Sequence, residues 1–261
     1  NIFNNIKSLL SNIKLLNKIE FTTCFIFHPS IRYLLIAKFS KAKDIWGLGL
    51  KLQNFMLTKN KKLYSSFFSQ TVPSDNETLE FVKKITNENN VEFKPLFSEE
   101  YDKRNLVGII IAASGYEKRW GIRNYIKIIK ILISNNFKNF LIISSLDQGD
   151  EEELIKKEIF EQNINIIYTS KKNISQVLTY LKKCIFCIGN DTGFSHLSVN
   201  LDIKTLIIYG DCPPQNYSNL IYHIDIDDNI MRSSNSIHSI TLEKVNIKLS
   251  KFLKQERWPS G

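Results

Sequence analysis

The second half of the chain predicts a doubly wound α/β domain on a parallel sheet, and three observations carry that prediction. Continuous apolar runs, the kind buried on both faces of such a sheet, recur at 106–112, 139–144, 164–168, 184–188 and 205–209. Segments of helical periodicity separate them, at 124–135, 151–162, 174–182 and 194–201. The polar loops at 114–120, 147–151 and 190–192 all follow strands, at the carboxyl edge where ligands bind in doubly wound sheets.

In chain order, Ile2, Ile6, Leu9, Leu10, Ile13, Leu16 and Ile19 fall at helical spacing with Lys and Asn between them. This basic amphipathic helix reads as packing on a sheet in preference to lying on a membrane. A strand is expected over 21–27, ending at His28-Pro29-Ser30, then a helix over 31–39 with Ser30 as N-cap. A short strand and turn follow at 44–49. Residues 51–70 are basic and aromatic and carry no assigned element. Ser74 or Asp75 caps a helix over 76–85, and 87–104, polar and interrupted by Pro95, reads as the linker between two halves.

In the second half, Asp150 and three glutamates open the helix over 151–162, as the helix dipole favours. After Pro214 the pattern loosens until an amphipathic helix over 241–253, with Leu242, Val245, Ile247, Leu249 and Leu253 as its apolar members. The expected domains are 1–104, 105–238, and a final helix with its tail, 239–261, packing back toward the first domain.

The chain has 261 residues, 43% of them hydrophobic, enough for a real core. Its net charge, 35 − 26 = +9, suggests an anionic partner. Nucleic acid is set aside, because no basic cluster is interleaved with aromatics at regular spacing. No apolar run approaches the roughly 20 residues that span a bilayer. Cys184 and Cys187 form a C-x-x-C inside a strand with no second pair, and their odd spacing sends them to opposite faces. Buried thiols are therefore expected, with no metal site and no cofactor.

The stretch Gly189-Asn190-Asp191-Thr192-Gly193-Phe194-Ser195-His196 reads as the end of a buried strand, a tight polar turn and a helix start. Such a turn directs unpaired amides and the positive end of a helix dipole at one spot, which suits a phosphate. Thr192 can add a hydroxyl, Gly193 permits close approach, and His196 reaches the same place from the first turn. Alternatively, Asp191 or Thr192 is a plain N-cap, stabilising the helix by roughly 1 kcal/mol with no ligand.

Three motifs in order resemble the bacterial heptosyltransferases, glycosyltransferase family 9. Ser114-Gly115-Tyr116-Glu117-Lys118-Arg119-Trp120 is like the family's small-residue loop ending in K-x-W. An acidic helix start follows at Glu151, and Asn190-Asp191-Thr192-Gly193-Phe194-Ser195-His196-Leu197 is like its D-[ST]-G-x-x-H-[LA]. The resemblance covers 105–255 well and 20–90 faintly. It implies a GT-B architecture, two Rossmann-like domains facing a cleft, and inverting transfer of a heptose from ADP-heptose to a lipopolysaccharide inner-core acceptor. A different donor sugar, or a nucleotide-sugar-binding protein without a catalytic base, are the alternatives.

By that resemblance Ser114, Gly115, Lys118, Trp120, Glu151, Asp191, Thr192, Gly193 and His196 would bind the donor. Glu151 would hold the ribose, and Lys118 and His196 would stabilise the leaving group. Asp191, which would repel a diphosphate, is assigned to the turn's amides or to His196. His28 and Arg32 would meet an anionic glycolipid acceptor, at the cytoplasmic face of the inner membrane. Gly121 stands where the family's proline usually follows K-x-W. The family's first strand, Gly-rich loop and general-base aspartate have no counterpart here and would precede Asn1, leaving the first domain incomplete.

Overall fold

A computed structural model describes residues 2–19, 22–26, 31–40, 42–47, 79, 82–83, 86–88, 94–95, 104–160, 163–233 and 235–255. His28, the 51–70 stretch, and most of the expected helix over 76–85 lie outside the described residues. Backbone packing divides the chain into Asn1–Glu92 and Phe93–Gly261, a division inside the 87–104 stretch read as linker.

In the first unit α1 (Ile2–Leu16) precedes β1 (Thr23–Ile26), α2 (Ile31–Lys38) and β2 (Asp44–Gly47). The strands pair in parallel, Thr23 opposite Asp44 and Ile26 opposite Gly47. Ile26, Leu34, Ala37 and Ile45 bury together between them. Helix α1 lies against α2, where the Arg32 guanidinium donates to Ser8 Oγ at 2.9 Å.

The second unit contains β3 (Leu106–Ile110), α3 (Ile122–Ser134), β4 (Asn139–Ile143), α4 (Gly149–Glu158), β5 (Asn165–Tyr168), α5 (Ile174–Leu181), β6 (Cys184–Asn190), α6 (Gly193–Asn200), β7 (Lys204–Tyr209), β8 (Ile221–Asp225) and α7 (Leu242–Gln255). The six strands are all parallel, in the order β5-β4-β3-β6-β7-β8. This is the Rossmann order, and its topological switch point falls between β3 and β6. The close β3–β6 pairing needs glycine at 189, because a Cβ there would overlap the Ile110 backbone. One face of the sheet packs on α3, α4 and α7, through Ile128, Ile155 and Phe252 among others; the opposite face packs on α5 through Val177 and Leu181.

Two expectations are corrected, at strand β8 and at the Cys184–Cys187 face. Strand β8 completes the sheet where the pattern only loosened: Ile221-Tyr222-His223-Ile224-Asp225 is an edge strand, half polar because only part of it is covered. Helix α7 spends its buried residues Val245, Leu249 and Phe252 on the second unit's own core, with Phe252 edge-on to Phe186 and Tyr222, while Ile247 is exposed. Cys184 and Cys187 share a face. The β3–β6 register slips between Leu106 and Val107, pairing them with Cys184 and Phe186 and leaving Ile185 as the extra residue. That bulge resets the alternation. Both sulfurs then bury over Gly108, and desolvation pushes the Cys184 thiol well up.

Candidate functional site

A cavity of about 590 Å³ opens at the switch point, within the roughly 300–1,000 Å³ usual for small-ligand sites. Ala112 and Ser114 line it from the loop after β3, Ser145 from the loop after β4, Asp191 and Thr192 from the loop after β6, and His196 from the first turn of α6. Three strand ends therefore meet there because the sheet order, not the sequence, makes β3, β4 and β6 neighbours.

Thr192 is the N-cap residue of α6, with extended φ −146° and ψ 167°, yet its hydroxyl caps nothing. That buried Oγ1 has no hydrogen-bond partner. Gly193 and Phe194, which carry the first amides of the helix, line the same cavity. A residue with an unspent hydroxyl and a helix N-terminus thus border one space, and a helix N-terminus favours an anion.

His196 is held from both sides. Its Nε2 lies 2.8 Å from Asp191 Oδ1 and its Nδ1 2.8 Å from the Tyr217 hydroxyl. A carboxylate only accepts, so Nε2 carries the proton; in the neutral ring Nδ1 then accepts from Tyr217. The bond to His196 is one of the two roles the sequence leaves to Asp191. Tyr217 gave no sequence signal, since it sits 21 residues beyond His196 in an irregular loop.

Lys118 sits in a single turn, Tyr116–Lys118, and its Nζ pairs with Asp211 Oδ2 at 2.8 Å. The hydrogen bond and charge of Asp211, with Asp191 adding, raise its pKa against the burial that opposes them. Neither Lys118 nor Gly115 lines the cavity. Gly121 opens α3 with φ 104°, a value proline cannot adopt.

Trp120, expected at the donor, is 2% exposed. Its indole N–H donates to the Ile240 carbonyl at 2.7 Å and its ring stacks edge-on to Tyr125, so the side chain is a core anchor. Glu151 does not line the cavity either. Its carboxylate accepts from the Gln148 amide and lies 3.8 Å from Arg119. Arg119 reaches Asp147 at 2.5 Å, holding that carboxyl below its ordinary range. Glu152, the next residue, is buried at 5% exposure. Burial raises its pKa, but the hydroxyls of Ser144 and Ser170 and the amides of Ser170 and Thr169 outweigh burial and hold it below the ordinary value.

Of the residues expected at the donor, the fold brings Ser114, Asp191, Thr192, Gly193 and His196 together. Arg32 belongs to the first unit and is spent partly on Ser8. Among the described residues no cluster of three metal-ligating side chains exists, and no helix is long and apolar enough to cross a membrane.

The glycosyltransferase family 9 (heptosyltransferase) model matches residues 42–248. A curated relative, lipooligosaccharide heptosyltransferase 2 of Haemophilus influenzae, is 26% identical over 117 residues, 43% of this chain and 33% of that one. The match thus spans about a third of the relative's length. Among solved structures, a glycosyl transferase family 9 protein of Veillonella parvula superposes with TM-score 0.72 at 17% identity, covering 97% of this chain and 80% of that one. The E. coli heptosyltransferase WaaC with ADP does so with TM-score 0.68 at 15% identity, covering 94% and 77%. These likenesses establish the fold, an α/β fold of the GT-B type.

Proposed function

The chain belongs to glycosyltransferase family 9, and on that premise we propose that it transfers a heptose from ADP-heptose, with inversion, to a lipopolysaccharide inner-core acceptor. The observation that carries the proposal is that Thr192, whose buried hydroxyl has no partner, and the start of α6 border the same switch-point cavity. A diphosphate supplies the acceptors that both lack.

In this reading the ADP diphosphate sits on the α6 amides at Gly193 and Phe194 and on Thr192. Charge builds on the leaving diphosphate as the sugar bond breaks. The helix terminus is aimed at that charge in a site partly closed to water, where such donors count most; the Lys118 ammonium reaches it by exchanging Asp211 for the diphosphate, and His196, its Nε2–H held by Asp191, borders the site. Asp191 orients His196 instead of facing the phosphate. Ser114 and Ser145 face the rest of the nucleotide. The fold resemblance to the heptosyltransferase with ADP supports the nucleotide. The net charge of +9 suits an anionic glycolipid acceptor and a peripheral place on the cytoplasmic face of the inner membrane.

The test is a thermal-shift panel with ADP, UDP, GDP, CMP and an ADP-sugar. A ligand at about 100 times its Kd stabilises by roughly 2.7 kcal/mol, a rise on the order of 5–10 °C at this size. A rise selective for ADP and its sugar conjugate is the expected outcome. A rise with UDP or GDP keeps the site and replaces the donor, and no rise with any nucleotide overturns the reading.

A further inference from the structure

The strand ending in the candidate site carries a residue to which the sequence motifs give no role and which does not line the cavity. Asn190, the last residue of β6, is completely buried. A strand end in a core is a poor place for an amide, which costs free energy there unless every polar atom is paired. Here every one is. Nδ2 donates to the carbonyls of Ile111 at 2.9 Å and Ala112 at 3.3 Å. Oδ1 accepts from the Trp120 N–H at 3.1 Å and the Tyr125 hydroxyl at 2.7 Å. Two donors and two acceptor sites are the full capacity of the group. The orientation is chemically forced, since carbonyls only accept and the Trp120 N–H only donates.

These four bonds connect pieces that the sheet alone leaves independent. Ile111 and Ala112 lead into the cavity floor at Ser114. Trp120 ends the loop that carries Lys118, and its indole is pinned separately to Ile240. Asn190 itself immediately precedes Asp191 and Thr192, and its own carbonyl accepts from Ser195 Oγ at 2.6 Å beneath the first turn of α6. One side chain therefore sets the distance between the Lys118 loop and the start of α6.

We infer that Asn190 is the positioning residue that holds the Lys118 loop in register with the phosphate-facing turn, acting on the ligand only through them. Its consequence for nucleotide rests on the function proposed above; its consequence for the loop does not. Misplacing a reacting group by about 1 Å can cost about a hundredfold in rate, so a register device at this point has a large effect without touching the ligand.

The test pairs amide hydrogen exchange without nucleotide and ADP titration with it, on Asn190→Ala, Asn190→Asp, Tyr125→Phe and Lys118→Met. In Asn190→Ala, exchange at 114–120 is expected to quicken by about tenfold or more, with β3 and β6 amides unchanged. ADP affinity falls by about tenfold, and combined with Lys118→Met the two losses are less than additive, because one acts through the other. Tyr125→Phe removes one bond to Oδ1 but spares Trp120, so both readouts stay at the wild-type level. Asn190→Asp keeps both acceptor bonds and loses the donors, so exchange quickens at 111–114 and not at Trp120; this variant decides the matter if Asn190→Ala does not fold. Uniformly faster exchange across the sheet, or an unchanged loop, overturns the inference. So does a loosened loop with ADP affinity intact. A loosened loop in a protein whose wild type binds no ADP overturns the nucleotide reading instead, and leaves the register role standing.

Discussion

Two layers meet at the carboxyl edge of the sheet, and they differ in what they leave unsatisfied. In the buried layer Asn190 uses all four of its hydrogen-bonding positions, and Glu152 accepts from two hydroxyls and two amides. In the cavity layer, two residues along from Asn190, the Thr192 hydroxyl is buried with no partner at all. Glu151 and Glu152 are both partnered, the first, half-buried, by Gln148 and Arg119, its neighbour by a ring of serine and backbone donors. Asn190 and Glu152 are complete without a ligand, whereas Thr192, which borders the cavity, is left with a hydroxyl that a ligand can complete. The difference separates scaffold from site more sharply than polarity does.

The most severe way to break the buried layer is Glu152→Ala. It strands the Ser144 and Ser170 hydroxyls and two amides, and a loss of about 3–5 kcal/mol is expected from urea denaturation. The same carboxylate titrates below its ordinary value of 4.5 in the folded state. Its contribution is therefore complete above that value and is lost as the pH falls through the lower, folded pKa. Glu152→Gln should flatten that part of the acid limb, and a limb of unchanged slope refutes the assignment.

Gly189→Ala attacks the same layer from the backbone. Its methyl would meet the Ile110 main chain, which cannot rotate away as a side chain could. A cost of about 3 kcal/mol is expected, measured by the same denaturation. A cost near zero would mean that β3 and β6 can separate slightly without penalty, and with them the two sides of the cavity.

Much of this was legible in the sequence. The strand, turn and helix of 184–200 are local events, announced by an apolar run, a polar turn and renewed periodicity. What needed tertiary partners was not. Asn190 and Thr192 look alike as polar residues in a turn; only the main chain of β3 and the Trp120 loop distinguish them. Trp120 belongs to a motif that suggests ligand contact, but its indole answers to a carbonyl 120 positions away. The Cys184–Cys187 face was misread because a bulge is a property of two strands in register, not of one. Strand β8 was missed because an edge strand need not be apolar on both faces.

Lys118→Met probes the cavity layer. Removing a charge-assisted contact to a diphosphate costs about 1.5–3 kcal/mol, a loss of roughly 10–100-fold in ADP affinity by titration calorimetry. Because Asp211 raises the Lys118 pKa above its ordinary 10.5, the ammonium is already fully charged at neutral pH. The Lys118-dependent part of binding should then be flat from about pH 7 to about pH 9. A fall in that window, absent from Lys118→Met, would show a neighbour other than Asp211 controlling this lysine.

Thr192→Val gives the smallest effect and the sharpest comparison, because the two layers predict opposite signs. Valine has nearly the shape of threonine without its hydroxyl. In the buried layer, deleting a hydroxyl strands its partners and destabilises. Thr192 has no partner to strand, so the unliganded protein should hold its stability or gain up to about 1 kcal/mol. ADP affinity should fall by roughly 3–10-fold at the same time, since the hydroxyl finds its acceptor only when the ligand arrives. Stability up and affinity down in one variant is a signature that no general weakening of the fold produces. If instead the unliganded protein loses about 1 kcal/mol, as a helix does on losing its N-cap, the hydroxyl is at work without ligand and Thr192 belongs with Asn190 in the saturated layer.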